Sequence, residues 1–263
     1  MIQPSSASAS DLVASTSPQD LFKKAKASAE SKQTLVNSLV CSTSILLSTL
    51  WADFDTSSAS DSLNALNTFI ISSLRRSRSS NLTLQVALYY LVRLSNHIKA
   101  CILKKFHNKH LYNAKSKTKA NVLLCKKRTF LTCLILASKF VQDKNYSMKS
   151  WSIISGLPVK ELVHNETVVL NHLSFNLYVK GEVFTEWSSI ISYFIMMFSK
   201  SNSTSTLIKP QQQTSLNKIN SQWKLIIDNL DPTFKLSKSI NYFNLLVSNL
   251  QNLESAPIFI ESY

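Results

Sequence analysis

Apolar residues recur three and four positions apart along most of this chain, the spacing of helices with one buried face. A first apolar segment, about 33–51, predicts a helix. The polar string WADFDTSSASDS follows it as a loop and reaches Asp61, a good N-cap. Leu63, Leu66, Phe69, Ile70 and Leu74 then share one helical face, which closes in the cations Arg75, Arg76 and Arg78. LTLQVALYYLVRLSNHIKACILKKF predicts one long helix over about 82–105, and the lysine-rich segment after it has no periodicity and reads as a loop. CKKRTFLTCLILASKFVQ, about 126–142, is apolar almost all round, as suits a helix with neighbours on every side. Ser147 is placed to cap a short helix ending at Gly156, and Pro158 to open the next, which runs to about Leu173. GEVFTEWSSIISYFIMMF forms another helix.

The remaining segments set the domain boundaries. Residues 1–32 are rich in Ser and Ala and read as a disordered tail. Residues 33–60 form a flanking helix and loop, and 61–199 the main domain, with a basic insertion at 106–125. SNSTSTLIKPQQQTS marks a low-complexity linker, 200–215, and two amphipathic segments in 216–263 predict C-terminal helices.

Composition narrows the function. Gly156 and Gly181 are the only glycines, too few for tight hairpins or a phosphate-cradling loop, so the expectation is all-α with no nucleotide site. The four cysteines form no CxxC pair and read as reduced, intracellular thiols. His107 and His110 lie near Cys101 and Cys125, but the spacing fits no common zinc site, so neither metal nor cofactor is expected. The N-terminal residues lack a secretory pattern. Leu35–Trp51 is too polar and Ser188–Phe198 too short for a membrane span.

The net charge of +14 is concentrated in one stretch. Residues 62–142 hold fifteen Lys and Arg and no acidic residue, while the rest of the chain is close to neutral. Such a field favours an acidic partner. Lys104, Lys105, Lys115, Lys117 and Lys119 are the candidate contacts for an acidic protein substrate. The neutral alternative is a solvated face that aids solubility.

No catalytic set emerges. The histidines at 97, 107, 110, 164 and 172 are scattered, and no carboxylates are paired for acid–base work. Two charges are misplaced for a simple bundle. Lys139 ends the apolar central helix, and Glu166 falls on a stripe with Leu162, Leu170 and Leu173. Either the two pair internally or snorkel to water, or they face a partner's polar groups.

The strings RRSRSSNLTLQVALYYL (75–91), FLTCLILASKFVQDKNYSMKSWSIISGLPVKEL (130–162) and the Glu166 helix ending NHLSFNLYV resemble the cyclin box. The likeness is specifically to the Pcl-type cyclins of fungi, which partner the multifunctional kinase of the yeast phosphate-response pathway, and extends to the subclass linked to amino-acid starvation. It covers Leu66 to Trp187.

That resemblance implies a single five-helix cyclin fold around the 126–142 helix, with flanking N- and C-terminal helices. It implies a non-catalytic subunit that binds and activates a cyclin-dependent protein kinase and directs it to substrates, among them a transcription factor in a nutrient response. Lys139 and Glu166 match the family's kinase-binding lysine and glutamate; Phe140, Leu162, Val163 and Val169 are the expected apolar contacts beside them. The expected location is the nucleus, with the cytoplasm as a second site. The family's substrate-docking motif is not recognisable here. Ser17-Pro18, the one Ser/Thr-Pro dipeptide, is a candidate phosphosite. The competing reading is a cyclin-fold protein of the transcription-factor type, with the basic stretch binding nucleic acid phosphates. A lysine-rich loop without interleaved aromatics argues against it.

Overall fold

The computed structural model describes residues 36–51, 59–107, 122–202, 221 and 224. The chain divides into two units, 1–37 and 38–263, and of the first only residues 36 and 37 are described. The tail with Ser17, the loop lysines Lys115, Lys117 and Lys119, the side chain of Lys105, and nearly all of the C-terminal segment 216–263 lie outside the described residues.

Every regular element among the described residues is helical. Helix α1 covers 36–50, of which 38–50 belong to the second unit. Then come α2 (Ala59–Ser77), α3 (Asn81–Arg93), α4 (Ser95–His107), a 3-10 turn (Val122–Leu124), α5 (Lys126–Val141), α6 (Met148–Ser155), α7 (Val159–His172) and α8 (Gly181–Asn202). Helix α8 therefore continues three residues into the segment read as a linker.

Helix α5 is the axis of the bundle. Ten consecutive residues, Thr129 to Ser138, are buried, as its all-round apolar sequence requires. It packs against α2, α3, α7 and the 3-10 turn. Phe130 meets Phe69 of α2 edge to face at 6.3 Å. Thr129 donates its hydroxyl to the carbonyls of Val122 and Cys125, so the 3-10 turn is pinned to the start of α5. The Trp51 indole N–H donates to the Leu123 carbonyl, and that of Trp187 on α8 donates to the Gln85 carbonyl on α3. Each large ring thus buries its area, worth roughly 1.5–3 kcal/mol, without stranding its polar atom.

The expected single helix over 82–105 is two helices. At Leu94 the backbone N–H is shared between the carbonyls of Tyr90 and Leu91, a tightened turn. Contacts to the α7–α8 connection flank it. The Tyr90 hydroxyl donates to the Leu177 carbonyl, Arg93 donates to the Asn176 carbonyl, and His97 lies against His172 with ring centroids 4.8 Å apart. These partners are more than seventy residues away in sequence and leave no mark on local periodicity.

Local signals set the other boundaries. Ser147 and Ser80 each accept a backbone N–H from the first turn of their helices, α6 and α3. Gly156 ends α6 at φ +73°, the left-handed conformation that favours glycine.

Candidate functional site

The emergence of α5 from the core builds the candidate site. Burial ends at Ser138, and the next residues, Lys139 and Phe140, are exposed. The chain leaves the helix at Gln142, whose side chain ties this corner to the start of α3. Gln142 accepts from the Ser138 hydroxyl at 2.8 Å and donates to the Thr83 hydroxyl at 3.2 Å. Lys139 is thereby held on a helix end fixed by its neighbour, not on a loop.

Helix α7 supplies the second charge. Leu162, Asn165 and Val169 face the core, and Glu166 stands on the shoulder of that stripe. The Lys139 ammonium donates to Oε1 of Glu166 at 2.5 Å, with 34% and 14% of the two side chains exposed. Glu166 Oε2 has no hydrogen-bond partner among the described residues, and an ammonium carries three donors. The pair therefore keeps acceptor and donor capacity for a partner's backbone. A second ion pair, Arg128 to Glu161 at 2.7 Å, links the first turns of α5 and α7.

Apolar surface borders the charges. Phe140 is 47% exposed and Val163 45%. Leu82, beside Thr83 at the start of α3, is 46% exposed. Leu162 and Val169 do not join them: they are 1% and 0% exposed and pack into the chain's own core. Expecting all four to meet a partner overlooked the roughly 100° turn per helical residue, which puts Leu162 and Val163 on different faces. Leu162 and Val169 position α7; Val163 is free for contact.

Sequence reasoning missed the exposure of Leu82, which opens the 82–105 pattern as a core leucine would, and of the aromatics Phe175 and Tyr178 after α7. Ser174 and Phe175 hold positive φ (53° and 54°) in a closure where the Phe175 N–H reaches the Leu170 carbonyl. No glycine announces that turn.

Of the lysine patch only the Lys104 side chain is described, and it is exposed. No group of three metal-ligating side chains occurs among the described residues. No described helix is long and apolar enough to cross a membrane.

A helical bundle around one buried helix, with a lysine and a glutamate paired on its rim, defines a class, and comparison with known proteins gives its name. The family model described as Cyclin matches residues 7–177, more than half of the chain, so the chain belongs to the cyclin family. The match starts upstream of residue 61 and takes in α1. Among curated proteins the chain is similar to the G1/S-specific cyclin pas1 of Schizosaccharomyces pombe, 35% identical over 128 residues, 48% of this chain and 27% of that protein. It is also similar to PHO85 cyclin-5 of Saccharomyces cerevisiae, 45% identical over 65 residues, 25% of this chain and 28% of that protein. The chain spans little more than a quarter of the length of either relative. These relatives fit a fungal Pcl-type cyclin. No solved structure matches.

Proposed function

We propose that this chain is the regulatory subunit of a cyclin-dependent protein kinase, which it activates by binding and not by catalysis. The observation that carries the reading is the Lys139–Glu166 pair, partly exposed, retaining unused donors and an acceptor, and bordered by Phe140 and Val163. A partly buried ion pair adds little net stability to folding, because desolvating the two charges offsets their attraction. Stability therefore gives little reason to hold these charges among apolar side chains. Contact with a partner does, because a partner's backbone can satisfy both charges while Phe140 and Val163 become buried.

The mechanism is positional. The kinase's regulatory helix packs against the α5–α7 corner and is held inward. That sets the kinase's own glutamate on its ATP-positioning lysine, an ion pair that phosphoryl transfer requires. The cyclin supplies no reacting group. One relative is by name a cyclin of PHO85, which supports a kinase of that kind as the partner. Direction of the kinase to a transcription factor in a nutrient response, residence in the nucleus, and phosphorylation of Ser17 belong to the same proposal.

Lys139→Ala and Glu166→Ala test it. Each should weaken kinase binding by about 2–5 kcal/mol, roughly thirtyfold to several thousandfold. Lys139→Ala strands a carboxylate only 14% exposed and should cost about 1–3 kcal/mol of folding stability, and Glu166→Ala, whose lysine can reach water, about 1 kcal/mol or less. The readouts are co-purification with the kinase, activity of the reconstituted pair, and urea unfolding of the free cyclin. Undiminished kinase activation by both variants overturns the assignment of this face.

A further inference from the structure

A second surface lies on other elements, where the C-terminal ends of α2 and α6 meet. Arg75 and Arg76 occupy the last turn of α2, and Arg78 follows. Arg76 donates to the Ile154 carbonyl in the last turn of α6 at 3.2 Å, joining the two helix ends. Arg75, Arg78 and Lys149 of α6 are exposed and make no ion pair among the described residues. Ile153, adjacent to the carbonyl that Arg76 binds, is 83% exposed, the most exposed of the large hydrophobic residues described.

Helix capping does not account for these charges. A helix C-terminus carries about half a negative charge, so one arginine balances both ends. Arg76 sits where it does that. Arg75, Arg78 and Lys149 remain in excess, and no acidic residue occurs from 62 through 142 or within α6 to offset them. Arg78 also holds φ +48°, at a helix end where glycine is the comfortable residue. Arg78 thus carries a local backbone cost that a glycine would not.

We propose that the joined ends of α2 and α6 are a docking surface for an acidic polypeptide segment bearing an apolar side chain. Arg75 and Arg78 pair with its carboxylates, and Ile153 receives the apolar residue. Charge complementarity selects the partner, and the bare isoleucine sets the register, because acidic residues alone would leave it in water. An isoleucine offers no stacking platform for bases, so the surface favours polypeptide over single-stranded nucleic acid. The site involves neither Lys139 nor Glu166, and its binding does not rest on the kinase reading.

The test uses the full chain and two fluorescent peptides of alternating Asp and Glu, one with a central Leu and one with Ser there, followed by anisotropy. Arg75→Ser with Arg78→Gly should weaken the Leu peptide about tenfold at roughly 50 mM salt and less at higher salt. Arg78→Gly alone should at the same time raise resistance to urea, because glycine relieves the left-handed turn. More stable folding with weaker binding is a combination that a merely structural arginine cannot produce. Ile153→Ser should erase the preference for the Leu peptide, about threefold to tenfold, while keeping the salt dependence. Lys139→Ala should bind both peptides as the parent does. Undiminished binding by the arginine variant overturns the proposal, as does equal binding of the two peptides by the parent. Tighter binding of a single-stranded DNA of similar charge overturns it in favour of nucleic acid.

Discussion

Neighbouring residues on α7 serve opposite purposes. Leu162 and Asn165 are packed inside, whereas Val163 is open and Glu166 keeps its carboxylate at the rim. A one-residue step turns the side chain by about 100°, enough to carry it from core to surface. This separates stability from binding. Leu162→Ala should cost about 2–5 kcal/mol in urea unfolding, since it leaves a cavity. Val163→Asp should unfold much as the parent does yet fail to co-purify with the kinase, because a carboxylate would be buried beside Glu166 in the complex. Loss of kinase binding with Leu162→Ala at a temperature where it is still folded would contradict that division.

At the scale of elements, helix ends carry the local information. Ser147 and Gly156 bracket α6 as their residue types demand, and both were legible in the sequence. A Cβ at Gly156 would meet nothing within 4 Å, so the cost of Gly156→Ala is backbone strain alone. It should destabilise by about 1–2 kcal/mol in urea unfolding. Ser174→Gly should do the reverse by about 1 kcal/mol, because Ser174 already holds φ +53°. The left-handed turns at Arg78, Ser174 and Phe175 were not legible, since none of these residue types advertises positive φ. The break at Leu94 was hidden for another reason: its flanking contacts come from the α7–α8 connection, and periodicity within a helix does not register them.

For the molecule as a whole, charge and packing meet at the end of α7. His172 lies against His97 and near Lys104. Burial first, then the charges of His97 and Lys104, hold His172 below its ordinary value of 6.5. The helix C-terminus favours a cation there, but desolvation wins. The unfolded chain therefore binds the proton more readily than the folded one. Stability from this residue is full above pH 6.5 and is lost as the pH falls through the lower folded value. Urea midpoints should drop between pH 7.5 and pH 5.5, and His172→Gln should flatten that drop. An unchanged slope in the variant would place the acid sensitivity elsewhere.

The sequence by itself determined that the protein is helical, that α5 is the central helix, where most helices start and stop, and that Lys139 and Glu166 stand out. Each of these depends on spacing within one segment or on the type of one residue, and both are printed in the chain. Only the tertiary structure decided that Lys139 and Glu166 meet, that Leu162 and Val169 turn inward, that Gln142 ties the end of α5 to Thr83 of α3, and that Arg76 joins α2 to α6 beside a bare Ile153. The physical reason is that exposure and pairing belong to a residue's neighbours in space. Those neighbours come from segments tens of residues away, whose approach is set by how the whole bundle packs.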